Sequence, residues 1–307
     1  MSAPKTLRRP LRAATRGSAL ARWQTDHVIS LLGVDVEVVV VQTEGDRRQD
    51  VPLDRIGGRG VFVKEVQAAV LDGRADFAVH SAKDLPSSPA LQPGGLVIAC
   101  IPERADPRDA LVGSTLDALP AGALVATGSV RRRAQLANVR ADLTFADLRG
   151  NIDTRLAKAR EHSAVVMAYA ALVRLERTSE VAEVLSPSIL LPQVGQGALA
   201  VECRADDDEV LALLSPVEHA PSRLAVDTER AFLATLGGGC DLPVGALATV
   251  HGDGRTVTVD ALLATLDGRQ VVRAQRSGVD PTVIGAEAAS YLLDGCGAGA
   301  FLEAAHA

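Results

Sequence analysis

Four polar residues in five positions, His80-Ser81-Ala82-Lys83-Asp84, follow directly on the apolar run Phe77-Ala78-Val79, and Leu85-Pro86 closes the stretch. A carboxylate beside an amine at the end of a buried strand has several chemical uses. It can accept an N–H, stabilise a cation or pass a proton, while the lysine can hold an anion or condense with a carbonyl. In open α/β sheets the C-terminal edge of the strands is where ligands bind, and Pro86 bars regular pairing or helix beside it. A solvated turn in which Asp84 and Ser81 bond local backbone would use the same residues. Spacing alone leaves both readings open.

Two further groups bear on the choice. Of the 32 basic residues, 28 are arginines although the net charge is −6, and arginine is the side chain that grips carboxylates and phosphates bidentately without losing its charge. Arg16, Arg131, Arg132 and Arg149 fall at predicted strand-to-helix junctions, and Arg155 falls one turn into a helix. Thr127 and Ser129 add hydroxyls beside helix N-termini, where free N–H groups also favour anions. Together they describe a cleft for a ligand with several carboxylates or phosphates. The other group is Cys240, behind Gly237-Gly238-Gly239, where a small thiol can be approached closely. A covalent role and an unreactive thiol both remain open from spacing. Cys100 and Cys203 lie in apolar strands and read as core, and Cys296 carries no assignment. No CxxC, HxH or HxxxH spacing suggests a metal site.

The elements that must position these groups read as three domains. Residues 7–15 form a strand, Ser18 caps a helix with Leu20, Trp23, Val28, Leu31 and Leu32 inside, and residues 37–41 form a strand covered on both faces. Residues 43–60, polar and glycine-rich with Arg55 and Arg59, read as a mobile lid. Val61, Phe62, Val66, Ala69 and Val70 mark a helix, and Leu96–Cys100 a strand. Residues 101–109 suit a crossover between domains. Strands at 123–126, 143–146 and 164–168 alternate with helices, which implies a parallel sheet with helices on both sides. Gly195-Gln196-Gly197 leads into a returning strand at 198–202, the wiring of a hinged two-domain cleft. A helix at 206–214 and a long one at 223–236 follow, then strands at 243–250, 256–266 and 270–277 and a closing helix at 281–293. The fold class is α/β with a C-terminal α+β domain. The boundaries are 1–100 with 198–217, then 101–197, then 218–307.

Composition narrows the function. A 307-residue chain, 47% hydrophobic and 23% charged, is that of a folded globular enzyme. With 3% aromatic residues and a negative net charge it is a poor nucleic-acid binder. No membrane-spanning run and no secretion signal are evident, so a cytoplasmic location is expected.

Ala14-Thr15-Arg16-Gly17-Ser18, Val79-His80-Ser81-Ala82-Lys83-Asp84-Leu85-Pro86, Asp106-Pro107-Arg108-Asp109-Ala110, Leu148-Arg149-Gly150-Asn151, Gln196-Gly197-Ala198-Leu199 and Gly238-Gly239-Cys240 occur in this order. From about residue 6 to about 300 the sequence closely resembles the hydroxymethylbilane synthase (porphobilinogen deaminase) family. That family joins four porphobilinogens into the linear tetrapyrrole of haem, sirohaem and chlorophyll synthesis, releasing four ammonias. The resemblance implies two type II periplasmic-binding-protein-like domains flanking a hinged cleft, plus the third domain. It implies a dipyrromethane cofactor held by a thioether to Cys240, with Lys83, Thr127, Ser129, Arg131, Arg132 and Arg155 as cofactor contacts. Arg16, Ser18, Arg149, Arg174 and Gln196 would bind substrate, and Asp84 would be the catalytic carboxylate, stabilising the azafulvene cation left when ammonia departs. No metal, nucleic-acid or membrane partner is implied, and a monomer is expected. Gly128 stands where a second hydroxyl residue is common in the family, Ala171 where a glycine is usual, and Arg55 and Arg59 where lysines are common. The competing readings are a non-catalytic carboxylate-binding protein of the same architecture and a Schiff-base enzyme using Lys83.

Overall fold

Largely continuous apolar runs, covered on both faces, build the inner strands of both large sheets. In the computed structural model, which describes residues 9–44, 63–237 and 242–306, the chain opens with β1 (Leu11–Arg16), α1 (Ala19–Leu32), β2 (Val36–Val41), α2 (Lys64–Leu71), β3 (Phe77–Ser81) and β4 (Leu96–Cys100). It crosses to β5 (Asp109–Val112), β6 (Leu124–Ala126), α3 (Val130–Val139), β7 (Thr144–Ala146), α4 (Ile152–Lys158), β8 (Ala164–Ala168), α5 (Tyr169–Arg174) and β9 (Val181–Val184). It returns in β10 (Leu199–Arg204) and α6 (Asp208–Leu214), then forms α7 (Ala220–Thr235), β11 (Val244–Val250), β12 (Val257–Ala264), β13 (Val271–Gly278), α8 (Pro281–Ser290) and α9 (Gly299–His306).

The first sheet runs β2-β1-β3-β10-β4 and the second β7-β6-β8-β5-β9. The two orders are the same pattern. In each, three strands are parallel, and the fourth is antiparallel to both its neighbours. That antiparallel strand is the one entered just after the chain crosses between sheets. This is the type II periplasmic-binding-protein arrangement. The sequence reading of a parallel sheet is thereby corrected, because β5 and β9 were absent from it: four-residue strands are too short for periodicity to reveal.

Each sheet has apolar cover on both faces. Leu11, Phe77 and Val79 pack with Val28 of α1, while the intervening Ala14 and Ala78 pack with Val66, Ala69 and Val70 of α2. In the second sheet, Val125, Ala164 and Val166 meet Leu136 of α3, and Ala126, Val165 and Met167 meet Leu172 of α5. Side chains alternate faces along a strand, so consecutive residues serve opposite cores. β2 departs from expectation. It is an edge strand with Val40 half exposed rather than a strand covered on both faces. In α1 the buried residues are Gln24, Thr25 and Val28, whereas Trp23 and Leu31 are exposed. Burial of Gln24 is explained by its Nε2, which donates to Ser81 Oγ at 2.9 Å. Trp23 instead stacks on His27, with ring centroids 5.1 Å apart.

The C-terminal domain packs α7 and α8 on the sheet β11-β12-β13, with Phe232, Ile284 and Leu292 at its centre. Its glycine turns at Gly254 and Gly268 have φ of 68° and 72°, the left-handed conformation that short hairpin turns call for. The lid reading with Arg55 and Arg59, and the positions of Val61 and Phe62, lie outside the described residues.

Candidate active site

The parallel strands of the first sheet end together, which places Arg16, the last residue of β1, on the same edge as the turn after β3. Residues Ala82–Asp84 form a single 3-10 turn. Ala82 and Leu85 are buried beneath it with Ile101, Ala198, Ala200 and Val226, so the turn's apolar residues point inward and Lys83 and Asp84 remain partly accessible. The turn is tied to the returning chain: Ala82 N donates to Ala198 O at 3.0 Å. Gly195, at φ 71°, approaches so closely that a Cβ there would lie 3.0 Å from Lys83 N. Only glycine permits both the conformation and the contact. Ser18 caps α1, its Oγ accepting from Ala21 N at 3.3 Å.

The matching edge of the second sheet supplies the cations. Ser129 caps α3, accepting from Arg132 N, and Thr127 Oγ1 accepts from Ser129 N at 3.2 Å. Asn151 caps α4, and Arg155 Nε donates to Gly150 O at 2.8 Å. The groups of the two edges act on one another. Lys83 has its pKa pushed down to about 8, first by burial, with Arg132 and Arg155 adding to the fall and Asp84 and Asp109 opposing it. Arg155 is lowered to about 10, by burial and then by Arg132 and Arg149, again opposed by Asp84. Asp84 acts on both Lys83 and Arg155, and Arg132 and Arg149 crowd those same cations, so the two edges share one positive field. Crowded cations of this kind are stabilised by anions brought in by a ligand.

Arg131 and Arg132 have a different setting from the open cleft read from sequence. Both are buried on Asp109, the fully buried first residue of β5. Asp109 accepts from Arg131 Nη2 at 2.8 Å, Arg132 Nε at 3.0 Å, Arg132 Nη2 at 2.7 Å and Gln196 Nε2 at 3.0 Å. Burial alone would raise the Asp109 pKa; Arg131 and Arg132 outweigh it and hold the group below the ordinary carboxylate range. The sequence reading put Asp109 in a charged crossover and missed this role. An acid heading the apolar run Ala110-Leu111-Val112, in a chain with consecutive arginines elsewhere, was the available signal. Gln196 Nε2 also donates to Pro107 O at 2.7 Å, and among the described residues its buried Oε1, like Arg131 Nε, has no hydrogen-bond partner.

Arg174 lies at the crossing itself. Its Nη2 donates to Gly197 O at 2.7 Å and its guanidinium sits 5.7 Å from the Trp23 ring centroid, so it joins α5 to α1. Gly197, at φ 85°, packs where a Cβ would meet Ala105 O at 2.4 Å. The two passages of the chain between the sheets thus lie side by side. Gly128 is confined too: a Cβ there would lie 2.9 Å from Leu148 O, so the hydroxyl side chain common in the family meets backbone here. Cys240 lies outside the described residues. Among the described residues no cluster of three His, Cys, Asp or Glu could hold a metal.

A family model described as "Porphobilinogen deaminase, dipyromethane cofactor binding domain" matches residues 11–212, more than half of the chain. The chain belongs to the porphobilinogen deaminase family. A second model, the porphobilinogen deaminase C-terminal domain, matches residues 223–294. Curated relatives named porphobilinogen deaminase include one from Brevibacillus brevis, 46% identical and covering 92% of this chain and 93% of its own. Another, from Roseiflexus sp. (strain RS-1), is 48% identical over 94% of this chain and 97% of its own. Among solved structures, a periplasmic sulfonate-binding protein SsuA from Methylobacillus flagellatus KT aligns with a TM-score of 0.39 at 13% identity, covering 72% of this chain and 67% of that one. A solute-binding protein from Roseobacter denitrificans aligns with a TM-score of 0.38 at 9% identity, covering 68% of this chain and 78% of that one. The family assignment and the sheet topology stand without these two. As a porphobilinogen deaminase family member the chain is a transferase of tetrapyrrole biosynthesis, and its two-sheet region is the family's dipyrromethane cofactor-binding domain. Among the described residues no helix is long and apolar enough to cross a membrane.

Proposed function

We propose that Asp84 is the catalytic carboxylate in the condensation of four porphobilinogens to hydroxymethylbilane, and that the cationic edges bind the acetate and propionate groups. The observation that carries this is the electrostatic environment of Asp84. It lies within the field of Lys83 and Arg155, whereas Asp109, the other acid of that field, is committed to Arg131, Arg132 and Gln196. Asp84 is partly exposed, and among the described residues no donor hydrogen-bonds its carboxylate.

The donor set fits a polycarboxylate cofactor. Burial, Arg132 and Arg155 depress Lys83, and burial, Arg132 and Arg149 depress Arg155; charge-assisted pairs with carboxylates contribute about 1.5–3 kcal/mol each. We assign Lys83, Thr127, Ser129, Arg132 and Arg155 to the cofactor side, with Cys240 as the attachment point. Arg16, Ser18 and Arg149 serve the substrate side. Arg131, through Asp109, fixes Arg132, and Arg174 and Gln196 hold the two chain passages. When bound, the dipyrromethane supplies the nucleophilic pyrrole carbon that serves as primer.

The chain's own residues then divide the work. Arginine and lysine side chains anchor the ring carboxylates and so orient the pyrrole N–H groups toward Asp84. Loss of ammonia from an aminomethylpyrrole leaves a cation spread over the ring, and a fixed carboxylate stabilises it as it forms. The same carboxylate holds the proton that deamination requires or coupling releases. Four condensations release four ammonias, and water supplies the hydroxyl of the product. The division into residues 1–100 with 198–217, 101–197 and 218–307, a cytoplasmic location and a monomeric state belong to the same proposal. Porphobilinogen consumption and ammonia release by Asp84→Asn test it. A fall in turnover of at least ~100-fold, with cofactor retained, is expected; normal turnover would remove Asp84 from this role.

A further inference from the structure

We propose that Arg230, with its neighbour Glu229 on α7, is a positioning residue for Asp84: it clamps the far side of the Asp84 turn to the helix that precedes Cys240 in the chain. The inference rests on the catalytic reading of Asp84.

Pro86 leaves the backbone after Asp84 outside any strand, so its carbonyls need other donors. Arg230 supplies them. Its Nη2 donates to Pro86 O at 2.8 Å and its Nη1 reaches Leu85 O at 3.5 Å. The side chain is 8% exposed, and a hydrogen bond from a buried charge to a carbonyl is stronger and better oriented than one at the surface. Gln92 Nε2 also donates to Pro86 O, at 3.2 Å.

The near side of the turn is held by the β3–β10 ladder, in which His80 pairs with Ala200 and Ser81 with Leu199. His80 Nε2 lies 3.0 Å from Glu202 Oε2 without hydrogen-bond geometry, and Gln67 Nε2 donates to both Glu202 oxygens. Glu202 also lies within the field of Arg230. Glu229 secures the layer behind. Its fully buried carboxylate accepts from Gly195 N at 2.7 Å, and Gly195 is the residue pressed against Lys83 N. It also accepts from Arg104 Nη1 at 2.6 Å and Ala248 N at 2.9 Å, which ties in the crossover and the C-terminal sheet.

Val226, Glu229 and Arg230 sit at i, i+3 and i+4, one face of a helix, and Val226 packs on Ala82 and Leu85. One face of α7 therefore meets the turn directly through Val226 and Arg230, and indirectly through Glu229 by way of Gly195. The same helix runs to Thr235, and Gly237, at φ 69°, precedes Cys240 by three residues. A carboxylate that must meet successive pyrroles beside an anchored primer needs a fixed distance from that anchor. A displacement of about 1 Å in such a site costs about 100-fold in rate.

The test uses the full-length holoenzyme with Arg230→Met and Arg230→Lys. Arg230→Met is expected to lower kcat by ~10- to 100-fold, leave KM for porphobilinogen within ~3-fold, and keep the covalent cofactor by intact mass. Arg230→Lys, which can still donate to one carbonyl, is expected to recover most of kcat. Wild-type kcat in Arg230→Met overturns the inference. So does joint loss of cofactor, thermal stability and KM with no recovery in Arg230→Lys, which would mark a merely structural role. Asp84→Asn measured in parallel separates the two claims. If it turns over normally, the reading of Asp84 fails and takes the inference with it; if it is inactive while Arg230→Met is normal, the clamp alone fails.

Discussion

Replacing Asp109 by Asn removes a charge from the centre of the second sheet while keeping the shape of the side chain. The native carboxylate is fully buried and accepts four hydrogen bonds, three of them from Arg131 and Arg132. An asparagine has one acceptor oxygen, so its amide must face a guanidinium on one side, and two buried cations lose their counter-charge. Breaking a buried pair by removing one partner costs about 3–5 kcal/mol. With two arginines dependent on the same carboxylate, the upper half of that range is expected, against a typical total of about 5–15 kcal/mol. Urea unfolding followed by circular dichroism and by Trp23 fluorescence measures it. Arg132→Gln and the double variant complete a cycle whose coupling should reach about 2–3 kcal/mol. The pH dependence has a definite sign. Because the arginines hold the folded Asp109 below its unfolded pKa of about 3.9, its contribution is full above that value and is lost as pH falls through the lower, folded value. Asp109→Asn should therefore flatten the acid limb of the stability curve. A loss below about 1 kcal/mol, or strict additivity with Arg132→Gln, would refute the reasoning.

Lys83 carries the opposite signature. Its folded pKa of about 8 lies under an unfolded value of about 10.4, so between those values the unfolded chain binds the extra proton and stability rises with pH. Lys83→Met should remove that rise in denaturant midpoints measured from pH 7.5 to 10; an unchanged slope would show that Lys83 does not titrate there. Gly197→Ala should destabilise by at least about 2 kcal/mol, since a Cβ would meet Ala105 O at 2.4 Å at φ 85°, on top of about 1–2 kcal/mol of left-handed strain. Gly33→Ala, at φ 65° in open space, should incur only the strain. Equal thermal shifts for the two variants would contradict the close packing of the chain passages.

Much of this was legible in the sequence because it is local. Ser18 and Ser129 cap helices where a hydroxyl precedes an amphipathic run, and β4 and β8 coincide with continuous apolar stretches. Partners distant in sequence were not legible. Periodicity tells which residues are inside, and says nothing about which charge meets which. Arg131 and Arg132 accordingly read as ligand anchors, while the acid that holds them sat in a proline-containing stretch that reads as loop. Gln24 was missed for a related reason: a buried amide looks polar in sequence, and only its bond to Ser81 accounts for its place inside. Glu229 and Arg230 were invisible as a pair, since adjacent charges on a helix usually face solvent. Here both reach across to backbone of the site.

The covalent primer is the most direct point of attack on the whole account. Intact mass spectrometry of the purified protein should show an adduct equal to two porphobilinogens less two ammonias. The adduct should be present in Asp84→Asn and absent in Cys240→Ser. Unmodified wild-type protein that also fails to consume porphobilinogen would contradict the assignment.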